Sequence, residues 1–160
     1  MVIERRAARA LLIADGSVLL IKGCDPARPE PGDWWLTPGG GIEDDESIEA
    51  AIVREILEET GLHLTAERLG PVVATRTAEF EFDNRSFRQT ESFFAIEVET
   101  FAPHAEGWDS IEQRALLAHR WWTLEELRTT EEQLYPREIA DLLEAVLARS
   151  VTSPIRLSGM

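Results

Sequence analysis

Glu55, Glu58 and Glu59 stand at i, i+3 and i+4 in the run Arg54-Glu55-Ile56-Leu57-Glu58-Glu59. Placed on a helix, they share an arc of about 140° with Arg54 and Ala51, while Ala50, Ile52, Val53, Ile56 and Leu57 fill the other side. One face of such a helix is core and the other gathers three carboxylates. Each like-charge pair at this spacing costs about 0.2–0.5 kcal/mol, so the arrangement calls for a positive partner. An acidic helix face is ordinarily just a solvated one, however, and these residues alone leave both readings open.

The residues around the run narrow the choice. Gly40 is followed after five residues by Glu46, and after seven more by Arg54-Glu55-Ile56-Leu57-Glu58-Glu59-Thr60-Gly61-Leu62. This pattern resembles the signature box of the MutT-like Nudix hydrolases at every fixed position, both aliphatic ones included. With average residue usage such a match arises at on the order of one start position in 10⁹. The resemblance implies a divalent-metal-dependent pyrophosphohydrolase, using Mg²⁺ or Mn²⁺, that cleaves a phosphoanhydride of a nucleoside diphosphate linked to another moiety. The residue types suit that chemistry. A phosphoanhydride ringed by negative oxygens repels an attacking water until cations neutralise it, and Mg²⁺ takes carboxylates, waters and phosphate oxygens as ligands.

Residue by residue, the resemblance implies a catalytic set of Glu46, Arg54, Glu55, Glu58 and Glu59. Glu58 and Glu59 would be the principal metal ligands, joined by Glu55 and by a backbone carbonyl of the glycine turn at Gly39. Glu55 also stands as a base, and Arg54 would pair with Glu46 and orient the glutamates. Gly39, Gly40 and Gly41 follow Pro38 and allow the backbone to pass close to metal and phosphates. In many family members a further acidic residue from a distal loop completes the site. Candidates are Glu91, Glu106, Asp109 and Glu112, with Glu112 ranked first because it precedes the last strand. Contacts to substrate have no motif. Arg76, Arg85 and Arg88 are candidates for phosphates, and Trp34, Trp35, Phe87, Phe93 and Trp108 for stacking a base. Arg76, Arg88, Trp35 and Phe93 are carried forward, although the core is the ordinary place for each aromatic. His63, His104 and His119 lie in no ligand pattern. The competing class is a non-catalytic nucleotide-sensing or partner-binding module on the same fold, which the three glutamates disfavour.

The elements that position these residues follow from pattern. Arg6–Ile13 and Ser17–Ile21 read as strands joined by a tight Asp15-Gly16 hairpin. Four prolines between Gly23 and Pro38 predict a loop there. Ser47–Thr60 is a helix stopped by Gly61. Strands follow at Gly70–Thr77, Ala78–Phe82, Phe87–Thr100 and Leu116–Trp122, the middle pair turning at Asp83-Asn84. Thr123 with Glu126 forms a capping box for a short helix, and Pro136 leads a last one reaching Arg149. This order describes an α+β fold, and the resemblance implies a Nudix-type α/β/α sandwich with a mixed β-sheet. Residues 1–150 are expected to form a single domain and 151–160 a frayed tail.

Composition sets the outer limits. Among 160 residues, 30 acidic against 16 basic side chains give a net charge of -14, which disfavours nucleic acid and anionic membranes as partners. The absence of an apolar span or signal core predicts a cytoplasmic protein. The single cysteine, Cys24, excludes an internal disulfide. The expected partner is a small-molecule nucleotide substrate, and the family resemblance leaves room for a homodimer.

Overall fold

The computed structural model describes residues 1–25, 27, 34–103 and 116–159. In chain order the elements are β1 (Val2–Ala14), β2 (Ser17–Gly23), β3 (Trp34–Leu36), β4 (Gly39–Gly41), α1 (Ile48–Thr60) and a 3₁₀ turn at Ala66–Arg68. They continue with β5 (Val72–Phe82), β6 (Arg85–Glu97), β7 (Leu116–Trp122), α2 (Leu124–Thr129), β8 (Leu134–Tyr135), α3 (Ile139–Leu147) and β9 (Ile155–Arg156). The strands form one mixed sheet in the order β8-β3-β2-β1-β6-β5-β9, with β4 added to β1 and β7 to β2. No described helix is long and apolar enough to cross a membrane.

The centre of the sheet is β1, which runs parallel to β6 from Val2↔Ser86 to Ile13↔Glu97 and turns back on β2 through Asp15-Gly16. From Ala10 to Ala14 it is continuously apolar because that part is buried on both faces. Leu11 and Ile13 point to one core with Val18, Leu20 and Phe93, and that core is closed by Leu127 of α2 and Ile139, Leu142 and Leu143 of α3. Ala8, Ala10 and Leu12 point the other way with Leu19, Phe94 and Ile96, against Ala51, Ile52 and Ile56 of α1. Helices on both faces of a mixed sheet make the α/β/α sandwich that was expected.

Helix α1 is set by its ends. The Ser47 side chain accepts from the Ala50 amide at 3.1 Å, and Gly61, at φ +79°, turns its amide back to the Leu57 carbonyl at 2.9 Å. The box helix is therefore fixed in length by its own sequence.

Three expectations are corrected. Trp34–Leu36 lies inside the predicted proline loop but is a strand, pairing Lys22↔Trp35 with β2 and Trp35↔Leu134 with β8. The prolines flank this triplet without interrupting it, so the ladder can form. The last helix begins at Ile139 rather than at Pro136 and ends at Leu147. Residues 151–160 are not simply frayed: Ile155 and Arg156 pair with Ala74 and Thr75 on the open edge of β5, and Leu157 is 7% exposed within the α2–α3 core. A few apolar residues scattered through a short polar run are too weak a pattern to announce such a strand.

If the tail is part of the core, Leu157→Ala removes about 2 kcal/mol, at the low end for buried leucine truncation. Thermal unfolding of the full chain should then shift down by roughly 4–8 °C. An unchanged Tm would show that the tail contributes nothing.

Candidate active site

Strand β4 is three glycines hydrogen-bonded to β1 in the register Ala8↔Gly40 and Arg9↔Gly39. Gly39 has φ +137°, and a Cβ there would lie 2.1 Å from the Ala8 carbonyl oxygen. Only glycine fits. At Gly40 a Cβ would lie 2.7 Å from both Cδ and Oε1 of Glu55. The turn therefore lies directly against the carboxylate face of α1, and the Gly39 amide donates to Glu59 Oε1 at 3.1 Å.

Arg54 organises the carboxylates around it. Its Nε and Nη2 donate to the two oxygens of Glu46 at 2.8 and 2.9 Å, its Nη2 to the Gly41 carbonyl at 3.0 Å, and its Nη1 to Glu55 at 2.9 Å. The same Nη1 lies 3.5 Å from Glu58. The two bonds from Arg54, helped by the Glu43 amide, pull the Glu46 carboxyl down to about 2. Arg54 thus joins the residue before the helix, the helix and the glycine turn.

Glu59 is 4% exposed, although a helical wheel places it on an outward acidic face. The wheel cannot show that β1 and β4 cover this face, and Ala51 is buried with it. Burial first, and then the charge of Glu55, push the Glu59 carboxyl well above its usual range, while Arg9 works against the shift. Partial burial and Glu55 also raise Glu58. The His119 Nε2 lies 2.8 Å from the Glu59 carbonyl, tying β7 to the end of α1.

Arg9 is a residue that motif reasoning missed. Its Nη1 donates to the carbonyls of Gly39 at 3.1 Å and Thr37 at 3.3 Å, while its Nε donates to Glu91 at 2.9 Å. The turn is consequently held between Arg9 on one side and Glu59 on the other. A sequence signal was present, since Arg9 is the one charged residue in the otherwise apolar stretch from Ala7 to Ala14. Glu91, a candidate for the distal acid, is 3% exposed and also accepts from Arg76 at 2.5 Å and from Gln89 at 3.0 Å. Burial would raise its carboxyl, but Arg9 and Arg76 together hold it below its usual value. Its place is that of a buried counter-ion.

The other predicted residues are scattered. Arg76 is spent on Glu91 and on the Ser158 carbonyl, with its side chain 10% exposed. Arg88 points outward near Glu4 and Glu79, at 3.7 and 3.8 Å. Trp35 is buried edge-on against Trp122, its Nε1 donating to Glu132, and Phe93 is 1% exposed beside Leu11 in the same core. The expectation that these two rings stack a base is corrected, because both faces of the sheet are covered where they point. Glu106, Asp109, Glu112 and Trp108 lie outside the described residues.

Among the described residues no three His, Cys, Asp or Glu side chains converge closely enough to hold a metal ion. Arg54 bridges Glu55 and Glu58 instead. The donor set still suits a hard divalent cation: Glu55, Glu58 and Glu59 offer only oxygens, and the proton affinities of Glu58 and Glu59 are raised by burial and by Glu55. A cation among them would relieve that repulsion.

The chain and its fold are similar to those of known proteins. The NUDIX domain family model covers residues 4–143, so the chain belongs to the Nudix family. It is 35% identical over 65 residues to the uncharacterized Nudix hydrolase YvcI of Bacillus subtilis, covering 41% of this chain and 37% of that protein. It is 41% identical over 68 residues to the nucleoside triphosphatase NudI of Escherichia fergusonii, covering 42% of this chain and 48% of that one. The matches thus span about half or less of these relatives' length. Among solved structures, the MutT protein from Methanosarcina mazei Go1 aligns with a TM-score of 0.66 at 20% identity, over 95% of this chain and 98% of that one. The Escherichia coli ORF135 protein aligns with a TM-score of 0.58 at 27% identity, over 93% and 92%. The former likeness is one of fold.

The buried Glu59 makes stability depend on pH. Folding raises its pKa above the unfolded value near 4.5, so its favourable effect is complete below 4.5 and is lost as pH rises through the folded value. In chelator, Glu59→Gln should match the parent near pH 4 and exceed it in Tm at pH 8. A variant less stable than the parent at pH 8 would show that the charged form of Glu59 is favoured in the fold.

Proposed function

We propose that the chain is a divalent-metal-dependent hydrolase that cleaves a phosphoanhydride of a nucleoside diphosphate derivative. The observation that carries this reading is the Arg54 clamp, which brings Glu46, Glu55 and the Gly41 carbonyl together over α1, with Glu59 bonded to the facing turn. A surface of solvated glutamates would need neither the clamp nor the side-chain-free turn.

Glu55, Glu58 and Glu59, with the Gly39 carbonyl, would hold Mg²⁺ or Mn²⁺, and Glu112 remains the first candidate for a further ligand. Such an ion, when bound, neutralises charge on the phosphates and acidifies water. The protein's own residues do the rest. Arg54 fixes the orientation of Glu55, and on this reading Glu55 takes the proton of the attacking water. Gly40 leaves the space beside the Glu55 carboxylate that any larger residue would fill. Glu46 keeps Arg54 from swinging away, and its own low proton affinity keeps the pair charged at working pH.

The substrate on this reading is a free nucleotide, in keeping with the nucleoside triphosphatase named among the relatives. The charge of -14 supports action without a nucleic-acid or membrane partner, and hence a cytoplasmic protein. A homodimer belongs to the same reading through the family.

Hydrolysis of a panel of nucleoside triphosphates, dinucleotides and nucleotide sugars should require added Mg²⁺ or Mn²⁺ and stop in excess chelator. Turnover that survives the chelator, or no turnover of any compound, would overturn the reading. On the best substrate, Glu55→Gln should lower kcat by roughly 10²–10⁴-fold with little change in KM. Arg54→Ala should show a smaller loss of the same kind, because it acts through its neighbours.

A further inference from the structure

Past Phe93 the α2–α3 face of the sheet changes from apolar to cationic. Along this face β1 presents Arg9 and then Arg5, and β6 presents Glu91, Gln89 and Phe87, with Arg5 in register with Gln89. Arg5 is exposed, yet its guanidinium is held in place. Its Nε donates to the carboxamide of Gln89, which is itself 1% exposed, and it sits 5.2 Å from the centroid of the Phe87 ring. Arg85, also exposed, lies 5.5 Å from the same centroid, and Phe80 stacks on Phe87 at 5.5 Å.

Two features set these arginines apart from Arg9, Arg54 and Arg76. Neither Arg5 nor Arg85 has a carboxylate within 4.0 Å among the described residues. They are instead held over one ring; burial, the charge of Arg9 and, more weakly, that of Arg85 oppose the charge of Arg5, while Glu55 and Glu91 favour it from beyond 4.0 Å. Two neighbouring guanidinium groups with no carboxylate within 4.0 Å among the described residues can take an anion.

Arg5 also lies next to the candidate active site. A Cβ on Gly41 would be 3.6 Å from the Arg5 guanidinium carbon, so Arg5 is within ordinary contact distance of the last residue of the glycine turn. Successive residues of β4 face opposite ways, so Gly40 meets Glu55 and Gly41 meets Arg5. An anhydride lying along the turn would have the carboxylates at one end and Arg5 at the other.

We propose that Arg5 and Arg85, set over Phe87, form the subsite for a phosphate group of the substrate adjoining the bond that is cleaved. This rests on the hydrolase reading above and names the residues that would select an anionic extension. Arg76 and Arg88 are unsuited to that role, the first because its guanidinium is bonded to Glu91 and Ser158, the second because strand alternation turns it to the opposite face. Arg5 contributes through charge-assisted bonds to phosphate oxygens, and Phe87 keeps both guanidinium planes in place.

The test is calorimetric binding in Mg²⁺ buffer of methylenediphosphonate, of a nucleoside α,β-methylene diphosphate and of the free nucleoside, to the parent, Arg5→Ala, Arg5→Lys, Arg85→Ala and Arg128→Ala. Arg128 pairs with Asp141 and Glu144 on the helices and serves as the control. Arg5→Ala should weaken both diphosphates by about 10–100-fold, the range for a hydrogen bond to a charged group, with Arg85→Ala weaker by a smaller factor and Arg128→Ala unchanged. Arg5→Lys should fall between, and nucleoside binding should not move. In turnover, Arg5→Ala should raise KM by a similar factor with kcat within about threefold. Diphosphate affinities within twofold of the parent in both alanine variants, a parent that binds no diphosphate, or a loss confined to the nucleoside would each overturn the proposal. Failure of the parent to hydrolyse any nucleotide would overturn the hydrolase reading alone, because the methylenediphosphonate affinities still decide this one.

Discussion

The approach of the glycine turn to α1 is the contact on which the site depends. A side chain at Gly39 would run into the Ala8 carbonyl, and one at Gly40 into the Glu55 carboxylate. Because neither is present, β4 can pair with β1 and still touch the acidic face of the helix. That proximity buries Glu59, brings Arg54 within reach of Gly41, and converts a surface of carboxylates into an enclosed one.

Enclosing carboxylates has an electrostatic cost, and the chain meets it with few cations. Sixteen basic residues face thirty acidic ones, and three of the most buried arginines serve this one region. Arg54 neutralises Glu46 and Glu55, while Arg9 and Arg76 hold Glu91 charged in the interior. Removing one member of such a set leaves the others buried without partners, which is costlier than never having had the pair. The polar cluster is therefore specific in its membership even though its net contribution to stability is small.

Legibility from sequence followed the distance over which each feature is determined. The box was readable because it resembles the Nudix signature residue by residue, a resemblance that also implied the Arg54–Glu46 pair, whereas the i, i+3 and i+4 spacing by itself showed only that three carboxylates share a face. The Gly61 stop, the Asp15-Gly16 hairpin and the Thr123–Glu126 capping box were likewise local. What one strand buries depends on which strands lie beside it, and that information is spread over the whole chain. Trp35 and Phe93 were therefore misplaced, since an aromatic on an exposed face and one in a core look alike in sequence. Arg76 was misread for the same reason: only the register Arg76↔Glu91 shows that its charge is already used. The tail strand escaped notice because its partner edge, β5, lies some eighty residues away in sequence.

The sheet also divides the chemistry between its two faces. On the α1 side it meets carboxylates suited to a cation. On the α2–α3 side, beyond the apolar core, it presents guanidinium groups suited to an anion. The two charges do not collapse onto each other, because the backbone of β1 and β4 runs between them. Glu55 and Arg5 are thus kept from direct pairing, although the charge of Glu55 still favours that of Arg5. Each residue of β4 meets a different part of this arrangement: Gly39 lies between Arg9 and Glu59, Gly40 against Glu55, and Gly41 against Arg5. The pleat of a three-residue strand is thus sufficient to set a carboxylate face and a guanidinium face side by side, provided that none of the three carries a side chain.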